Sequence, residues 1–163
     1  MASSRTRRSA GILVHRERDG LEVLLGHLGG PFWARKDAGA WTIPKGEYPP
    51  EEQPIDAARR EFVEEFGIPV PEGELLDLGE VRQSGGKTVQ AWALRADLDP
   101  ADLAFGTFEM EWPRGSGRMT AFPELDRAAW FPVEEAAEKI VSAQRAFLVR
   151  LVEKLTNTPQ SPP

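Results

Sequence analysis

The sequence predicts a single domain of the α/β class, and three features of the chain support this prediction. Residues 10–16 and 21–27 are apolar and rich in strand-forming side chains, and the short charged segment between them is typical of a hairpin turn. Residues 51–66 have apolar side chains at helical spacing. Two further apolar segments, 74–83 and 88–96, flank a Ser-Gly-Gly turn and read as a second pair of strands.

The remaining elements follow in order along the chain. Gly67 is placed to end the helix, because glycine is common just after the last helical residue, and Pro54 fits within its first turn. A stripe of apolar side chains at helical spacing in residues 147–155 predicts packing in the core. The other predicted elements are a Gly-rich loop at 28–40, a short strand at 41–44, a strand or loop edge at 104–112, a turn at 113–117, a short strand at 128–131 and helices at 133–141 and 143–155.

One folded domain is expected over residues 9–155, between a flexible N-terminus at 1–8 and a disordered, Pro-rich tail at 156–163. The N-terminus is basic, but a strand-like segment follows it instead of the apolar stretch of a secretory signal. No apolar run is long enough to cross a bilayer. These observations predict a cytoplasmic protein without a membrane partner.

The composition limits the kinds of site that the chain can build. Its 163 residues include no cysteine, which excludes disulfides, thiolate catalysis and cysteine-based zinc sites. The two histidines, His15 and His27, both lie in predicted strands, so a His-rich transition-metal centre is not expected and any metal should be a hard cation bound by oxygen. The net charge of −6 argues against a general nucleic-acid-binding surface.

The negative charge is concentrated in residues 46–68, where seven acids and two bases leave a net charge of −5. On the predicted helix, Glu61, Glu64 and Glu65 are spaced i, i+3 and i+4, so their carboxylates share one face. An adjoining apolar face suited to docking onto a sheet is formed by Ile55, Ala58, Phe62 and Phe66. Three clustered carboxylates destabilise a helix unless a cation lies among them, and their oxygen atoms are ligands for Mg²⁺ or Mn²⁺. A solvated acidic helix face is the alternative interpretation of the same charges.

The spacing of this acidic segment resembles the box motif of the Nudix hydrolases, G-x5-E-x7-R-E-U-x-E-E-x-G-U, in which U is apolar. Every specified position is matched, by Gly46, Glu52, Arg60, Glu61, Phe62, Glu64, Glu65, Gly67 and Ile68. The lead-in Trp-Thr-Ile-Pro-Lys-Gly at residues 41–46 is also similar to that of the family. Only residues 41–68 carry this specific resemblance, although the whole of 9–155 fits the plan of such a domain.

The resemblance implies a fold, a metal site and a reaction. The fold would be a Nudix-type α/β/α sandwich with a mixed sheet. By position, the catalytic Mg²⁺ or Mn²⁺ would be bound by Glu61, Glu64, Glu65 and the backbone carbonyl of Gly46. Glu52 and Arg60 would form a structural ion pair. The reaction would be metal-dependent hydrolysis of a phosphoanhydride in a nucleoside diphosphate-linked substrate.

The reaction also requires a general base, and several acids are candidates. In many family members the base, or a further metal ligand, lies outside the box in a later loop. Glu124 lies in the segment FPELDRAAWF, which resembles the segment before the last strand of diadenosine tetraphosphate-type hydrolases; an exposed loop acid is the equally weighted alternative. The catalytic set is therefore Glu61, Glu65 and Glu124, with Glu61 as an alternative base and Glu109 and Glu111 as poorer candidates.

Three cations are candidates for contacting the substrate phosphates, because cationic donors suit phosphate oxygens. Lys45 adjoins the box and is supported by the family pattern, whereas Arg82 and Lys87 lie on or beside the strands that follow. Each of the three is equally explained as a surface charge. An aromatic side chain could stack on a nucleobase, although lone aromatic residues more often belong to the core. The tryptophans considered for stacking are Trp33, Trp41 and Trp92.

The substrate is less well defined by the sequence than the reaction. The proline that ADP-ribose hydrolases tend to carry after the box is absent, since residues 81–84 read Val-Arg-Gln-Ser, and so is the tyrosine of dinucleoside polyphosphate hydrolases. The lead-in and the segment around Glu124 nevertheless favour a dinucleoside polyphosphate or a nucleoside triphosphate. A catalytically silent nucleotide-binding regulatory module on the same fold is the alternative, and an acidic domain that binds a basic partner is a third hypothesis. Because family members often dimerise, a homodimer is compatible with the sequence.

Overall fold

The computed structural model describes residues 7–157, which form nine β-strands and three α-helices. The strands are β1 (Arg8–Glu17), β2 (Leu21–Leu28), β3 (Trp41–Thr42), β4 (Lys45–Glu47), β5 (Leu76–Arg82), β6 (Thr88–Arg95), β7 (Thr107–Glu111), β8 (Met119–Pro123) and β9 (Leu125–Pro132). The helices are α1 (Pro54–Phe66), α2 (Val133–Lys139) and α3 (Arg145–Asn157). None of these helices is long and apolar enough to span a membrane.

Strand β1 lies at the centre of a seven-stranded mixed sheet. One edge of β1 pairs in parallel with β6, and β5 lies antiparallel to β6 at the margin of the sheet. On the other edge, the end of β1 pairs with β2 and its beginning pairs with β4. Strand β2 also pairs with β9 and with β3. The segment 41–47 therefore fills the opening where β1 and β2 separate, and Gly46 lies opposite Ala10 of β1.

Helices cover both faces of this sheet, which confirms the α/β/α sandwich. On one face, α1 contributes four buried side chains to an apolar cluster with β1, β2 and β6: Ala57, Ala58, Phe62 and Phe66. On the other face, α2 and α3 pack against the sheet through Ala136, Phe147, Leu148 and Leu151. The apolar stripe of α3 thus lies in the core as predicted. Ile55 does not follow its prediction, because at the start of α1 it remains 36% exposed.

The box helix is shorter at its start than the sequence pattern indicates. Residues before Pro54 form a turn, in which the amide of Glu52 donates to the carbonyl of Pro49, and Pro54 occupies the first helical turn, where it needs no amide partner. Gly67 ends the helix as predicted, with φ +69° and its amide donating to the carbonyl of Val63. A Cβ atom at Gly67 would lie 2.1 Å from the carbonyl oxygen of Ala104, so neighbouring backbone also requires glycine there.

Both histidines lie in strands as predicted and are buried. The ring nitrogens of His27, in β2, lie 2.9 Å from Oδ1 of Asp126 and 2.6 Å from the carbonyl oxygen of Lys36. These contacts attach the loop 28–40 to the beginning of β9. They also fix the chain next to Glu124, which immediately precedes β9.

Several predicted boundaries differ from the structure. Strand β9 is longer than the predicted 128–131, because its pairing with β2 extends from Pro132 back to Leu125. Strand β8 was not predicted; it pairs with β7 as a separate two-stranded hairpin, and neither apolar cluster of residues 7–157 includes a side chain of these two strands. Strand β1 starts at Arg8 and α3 continues to Asn157, beyond the predicted limits of the domain. The rest of the predicted flexible ends, 1–6 and 158–163, lies outside the described residues.

Candidate functional site

A cavity of about 420 Å³ opens where the C-terminal half of α1, strand β4, the β5–β6 turn and the base of the β7–β8 hairpin meet. It collects five carboxylates and two lysines. Its lining residues are Ser9, Lys45, Gly46, Glu47, Glu61, Glu64, Glu65, Gln83, Lys87, Gly106, Thr107 and Glu124. All three predicted box acids, the predicted Gly46 and the later acid Glu124 therefore lie in one cavity, which we call the acidic pocket.

The three box acids are presented by α1 at different depths. Glu61 is only 7% exposed, Glu65 is half-buried and Glu64 is exposed. Their burial differs because the three residues lie at different angles around the helix axis. The carboxylate of Glu61 lies directly against the backbone of β4. A Cβ atom at Gly46 would be 2.0 Å from Oε2 of Glu61, so the first glycine of the box makes room for this carboxylate.

Glu65 has the most unusual surroundings in the pocket. Its Oε2 atom is buried and has no hydrogen-bond partner among the described residues. Burial raises the pKa of Glu65 to about 8, and the nearby charges of Glu124 and Glu61 act in the same direction. A buried carboxylate oxygen without a donor is costly unless a cation satisfies it. This oxygen therefore fits a bound metal ion.

Glu124 reaches the pocket because two loops bind its backbone. Its amide donates to the carbonyl of Gly106 at 2.7 Å, and its carbonyl accepts from the amide of Gly29 at 2.9 Å. Burial raises the pKa of Glu124, against the opposing charge of Lys45. The weaker candidates for the base, Glu109 and Glu111, lie on β7 and do not line the pocket.

Arg60 forms the predicted ion pair with Glu52 and also contacts two of the box acids. Its Nε and Nη2 atoms donate to the two carboxylate oxygens of Glu52 at 3.0 and 2.8 Å, a bidentate geometry. Its Nη1 atom donates to Oε1 of Glu61 at 2.8 Å and to Oε1 of Glu64 at 3.1 Å. These bonds, that to Glu52 first, raise the pKa of Arg60. Arg60 thus joins the loop before α1 to the acidic face of the helix.

The predicted phosphate-contacting cations divide into two groups. Lys45 and Lys87 line the pocket, and burial lowers the pKa of Lys45 although the charge of Glu65 opposes this change. Arg82 does not line the pocket, because it is exposed on β5 next to the buried Val81, and Gln83 lies in the pocket instead. The pocket residues that the sequence analysis missed are Ser9, Glu47, Gln83, Gly106 and Thr107.

The tryptophans considered for base stacking belong to the core. Trp41 is 4% exposed and Trp92 is 7% exposed, each within one of the two apolar clusters. Trp33 is half-buried and packs against the cluster that contains Trp41. None of the three lines the acidic pocket.

The donor set of the pocket suits a hard cation, but the carboxylates do not form a preassembled cage. Within residues 7–157, no three acidic or histidine side chains converge closely enough to surround a metal ion. Arg60 donates to one oxygen of Glu61 and one of Glu64, whereas Oε2 of Glu65 accepts from no donor within the same described range. The oxygen atoms of these residues suit a hard metal ion, and holding one would require the Glu61 and Glu64 side chains to move away from Arg60.

Comparison with solved structures supports the same fold. The Ap4A hydrolase of C. elegans, in a binary complex, has a TM-score of 0.64 at 22% identity, with 93% of this chain and 99% of that chain covered. The NUDIX domain of Shewanella oneidensis NrtR, complexed with ADP ribose, has a TM-score of 0.64 at 13% identity and coverage of 94% and 90%. A MutT protein from Methanosarcina mazei Go1 has a TM-score of 0.60 at 22% identity and coverage of 93% and 96%.

At these identities the structural similarity establishes the fold and leaves the family to be shown by sequence. Among curated protein sequences, none matches this chain significantly. The family model of the NUDIX domain matches residues 5–151, which include the entire sheet, the box helix and every residue of the acidic pocket. The chain therefore belongs to the Nudix hydrolase family.

Proposed function

We propose that this protein hydrolyses a phosphoanhydride bond in a nucleoside diphosphate-linked substrate and requires Mg²⁺ or Mn²⁺. The observation that carries the proposal is the buried Oε2 atom of Glu65, which has no hydrogen-bond partner in the described part of the chain and lies in a pocket with four further carboxylates. A binding module for a neutral or anionic ligand gains nothing from this concentration of negative charge. A site that recruits a divalent cation and then a phosphate chain requires it.

The metal would be held by oxygen atoms from α1 and β4, namely those of Glu61, Glu64, Glu65 and the backbone carbonyl of Gly46. When bound, a divalent cation neutralises phosphate charge and lowers the pKa of water. The residues of the chain supply the rest. Lys45 and Lys87 lie in the same pocket as the acids, where they can bind the phosphate oxygens that the cation leaves uncompensated.

Glu124 is our candidate for the group that accepts the proton of the attacking water. It lies across the pocket from α1, close enough for its charge to raise the pKa of Glu65, and its backbone is held on both sides. Burial raises its own pKa towards the range in which a carboxylate is an effective base. Glu61 remains the alternative base within the box, because burial raises its pKa as well.

For the substrate we propose a dinucleoside polyphosphate or a nucleoside triphosphate. Two lysines in the pocket suit a chain of several phosphates. The structural similarity to a protein described as an Ap4A hydrolase is in line with this class, although at 22% identity it concerns the fold. Cytoplasmic location and a homodimer remain predictions from the sequence.

The test is hydrolysis across a panel of nucleotides with Mg²⁺, Mn²⁺ or EDTA. The panel contains nucleoside triphosphates, dinucleoside polyphosphates, ADP-ribose and nucleotide sugars. We expect metal-dependent cleavage by the parent, and a fall in kcat of roughly 10²- to 10⁴-fold in both Glu65→Gln and Glu124→Gln. Glu134→Gln is the matched control, because Glu134 is an exposed acid on α2, outside the pocket, and should leave kcat unchanged.

One alternative function is favoured by a specific observation. The NUDIX domain of NrtR, with the same fold, was crystallised with ADP ribose. A silent nucleotide-binding module would bind a nucleotide of the panel, by calorimetry, without turnover in any metal. Cleavage that persists in EDTA, or that Glu65→Gln leaves intact, would contradict the proposed metal-dependent reaction. If the protein binds neither metal nor nucleotide, the surviving hypothesis is an acidic domain that binds a basic partner.

A further inference from the structure

A second cavity, of about 250 Å³, adjoins the acidic pocket. Its lining residues are Gln83, Ser84, Lys87, Val141, Ser142 and Ala143. Gln83 and Lys87 line both cavities, so the two adjoin at these residues, and the smaller one lies between the β5–β6 turn and the segment before α3. We refer to the two cavities together as the groove. We call the smaller cavity the distal pocket.

One wall of the distal pocket is firmly attached to the sheet. The amide of Val141 donates to the carbonyl of Trp41 at 2.8 Å. The side chain of Gln144, which is fully buried, accepts from the amide of Ile43 and donates to the hydroxyl of Thr42. The segment that carries Ser142 is therefore held on the same stretch of chain that leads into Lys45 and Gly46.

The opposite wall is a tight turn that the sequence specifies. The amide of Gln83 donates to the carbonyl of Lys87 at 2.7 Å and closes the turn. Gly85 and Gly86 have φ angles of +81° and +79°, which glycine adopts without strain. The turn therefore places Ser84 and Lys87 beside the groove, and the core residues Val81 and Val89 anchor the strands on either side of it.

The charge changes sharply along this groove. Five carboxylates line the acidic pocket, whereas no acid among residues 7–157 lines the distal pocket. Lys87 lies at the junction, and beyond it the lining offers the amide of Gln83 and the hydroxyls of Ser84 and Ser142. Hydroxyl, amide and ammonium groups donate hydrogen bonds to anionic oxygens. The groove thus has a cation-recruiting end and an anion-accepting end.

We propose that the distal pocket binds the phosphates of the substrate that lie beyond the cleaved diphosphate, so that the protein selects chains of three or more phosphates over diphosphates. The inference rests on the proposed function, which places the cleaved bond in the acidic pocket and thereby sets which phosphates extend into the distal pocket. Lys87 lines both pockets and contacts the phosphate chain of the substrate where it passes from one pocket to the other. Ser142 and Ser84 contact its far phosphates, and a diphosphate-linked sugar leaves this end of the groove without a ligand.

The first test is calorimetric and needs no turnover. The probes are imidodiphosphate and diimidotriphosphate, in which nitrogen replaces the bridging oxygens, with Mg²⁺ present. We expect the longer probe to bind the parent about tenfold more tightly or better, and Ser142→Asp to remove most of this advantage by like-charge repulsion. Ser116→Asp adds the same charge in the exposed turn of the β7–β8 hairpin and should leave the ratio of the two affinities unchanged.

The second test is kinetic. With hydrolysis established, Ser142→Asp should lower kcat/KM for a nucleoside triphosphate selectively, through KM, so that its ratio to kcat/KM for ADP-ribose falls about tenfold. Equal affinities of the parent for the two probes, or a ratio that Ser142→Asp does not change, would overturn the distal pocket. If the protein cleaves nothing but shows the expected ratio of affinities for the two probes, the proposed reaction is wrong and the proposal for the distal pocket is retained. The two failures are therefore distinguishable.

Discussion

At Gly46 the absence of a side chain leaves space for the carboxylate of Glu61, whereas at Gly67 the same space is occupied by backbone atoms of Ala104. The nearest atoms to a Cβ at Gly46 all belong to the side chain of Glu61. A carboxylate at the end of a flexible side chain can move aside at little cost, so the glycine is required for the position of Glu61 more than for the fold. The distinction can be tested by substitution.

We predict that Gly46→Ala displaces the Glu61 carboxylate and lowers kcat by on the order of 10²-fold, since a shift of about 1 Å in a catalytic group has an effect of that size. The free energy of unfolding should change by less than about 1 kcal/mol, as for most substitutions without a packing defect. Steady-state kinetics and urea denaturation measure the two quantities. A large loss of stability together with normal kcat would assign Gly46 to the fold instead.

The site residues that lie together on one helix could be predicted from the sequence, whereas those on other elements were harder to predict. Glu61, Glu64 and Glu65 share a face by helical spacing, and this spacing survives folding unchanged. Glu124 came from the family resemblance, and its entry into the pocket depends on contacts with Gly29 and Gly106 from distant loops. Arg82 shows the limit of such reasoning, because which of two neighbouring strand residues faces a pocket depends on strand register.

The pocket residues that were missed come from separate elements. Ser9 belongs to β1, Gln83 precedes the β5–β6 turn and Thr107 begins β7. No spacing in the sequence connects them, because only sheet pairing brings them together. Glu47 had a usable signal, since it immediately follows the first glycine of the box.

At the level of elements, the box helix depends on its terminal glycine. Gly67 has a positive φ angle, and a Cβ atom added there would lie 2.1 Å from the carbonyl oxygen of Ala104, so a side chain would meet both strain and backbone. We predict that Gly67→Ala lowers the free energy of unfolding by about 2 kcal/mol or more, while kcat of the folded protein is retained. Chemical denaturation and kinetics below the unfolding transition provide the measurement.

Gly46→Ala is the natural comparison for this variant, because both glycines belong to the same motif. The two substitutions should have opposite profiles: a catalytic loss at Gly46 and a stability loss at Gly67. Equal profiles at the two positions would contradict the division between a glycine that positions a pocket carboxylate and a glycine that ends the helix.

Elements with a strong local pattern were predicted well, and those defined by pairing were not. The first hairpin, the β5–β6 turn and the apolar stripe of α3 each carry their pattern within a few residues. Strand β8 carries none, since its alternation is weak and only pairing with β7 defines it. The helix α1 begins at Pro54, and the residues just before it depend instead on the ion pair between Glu52 and Arg60.

At the level of the whole molecule, one buried histidine links stability to pH. His15, in the central strand β1, is 4% exposed, and burial, with a smaller effect of the Arg95 charge, lowers its pKa from 6.5 to about 4. Between these two values the unfolded chain binds a proton that the folded protein does not. The contribution of His15 to the free energy of unfolding is therefore fully present above pH 6.5 and is lost as the pH falls towards 4.

We predict that the free energy of unfolding of the parent falls by roughly 2–3 kcal/mol more than that of His15→Leu between pH 7 and pH 4. The comparison must be of slopes, because burial raises the pKa values of Glu61, Glu65 and Glu124, which acts in the opposite direction in both proteins. Urea denaturation at several pH values in EDTA supplies the slopes. Parallel slopes would show that His15 is protonated equally in the folded and unfolded states.

The β7–β8 hairpin leaves and re-enters the domain at a single place, where the carbonyl of Gly106 accepts from the amide of Glu124. Its strands pair with each other and contribute nothing to the two apolar clusters of the described residues. Because the seven-stranded sheet does not depend on its packing, we expect a hairpin attached in this way to tolerate changes of length with little effect on that sheet. Changes within this hairpin would therefore alter the rim of the pocket, where Gly106 and Thr107 lie, and leave the acids of α1 in place.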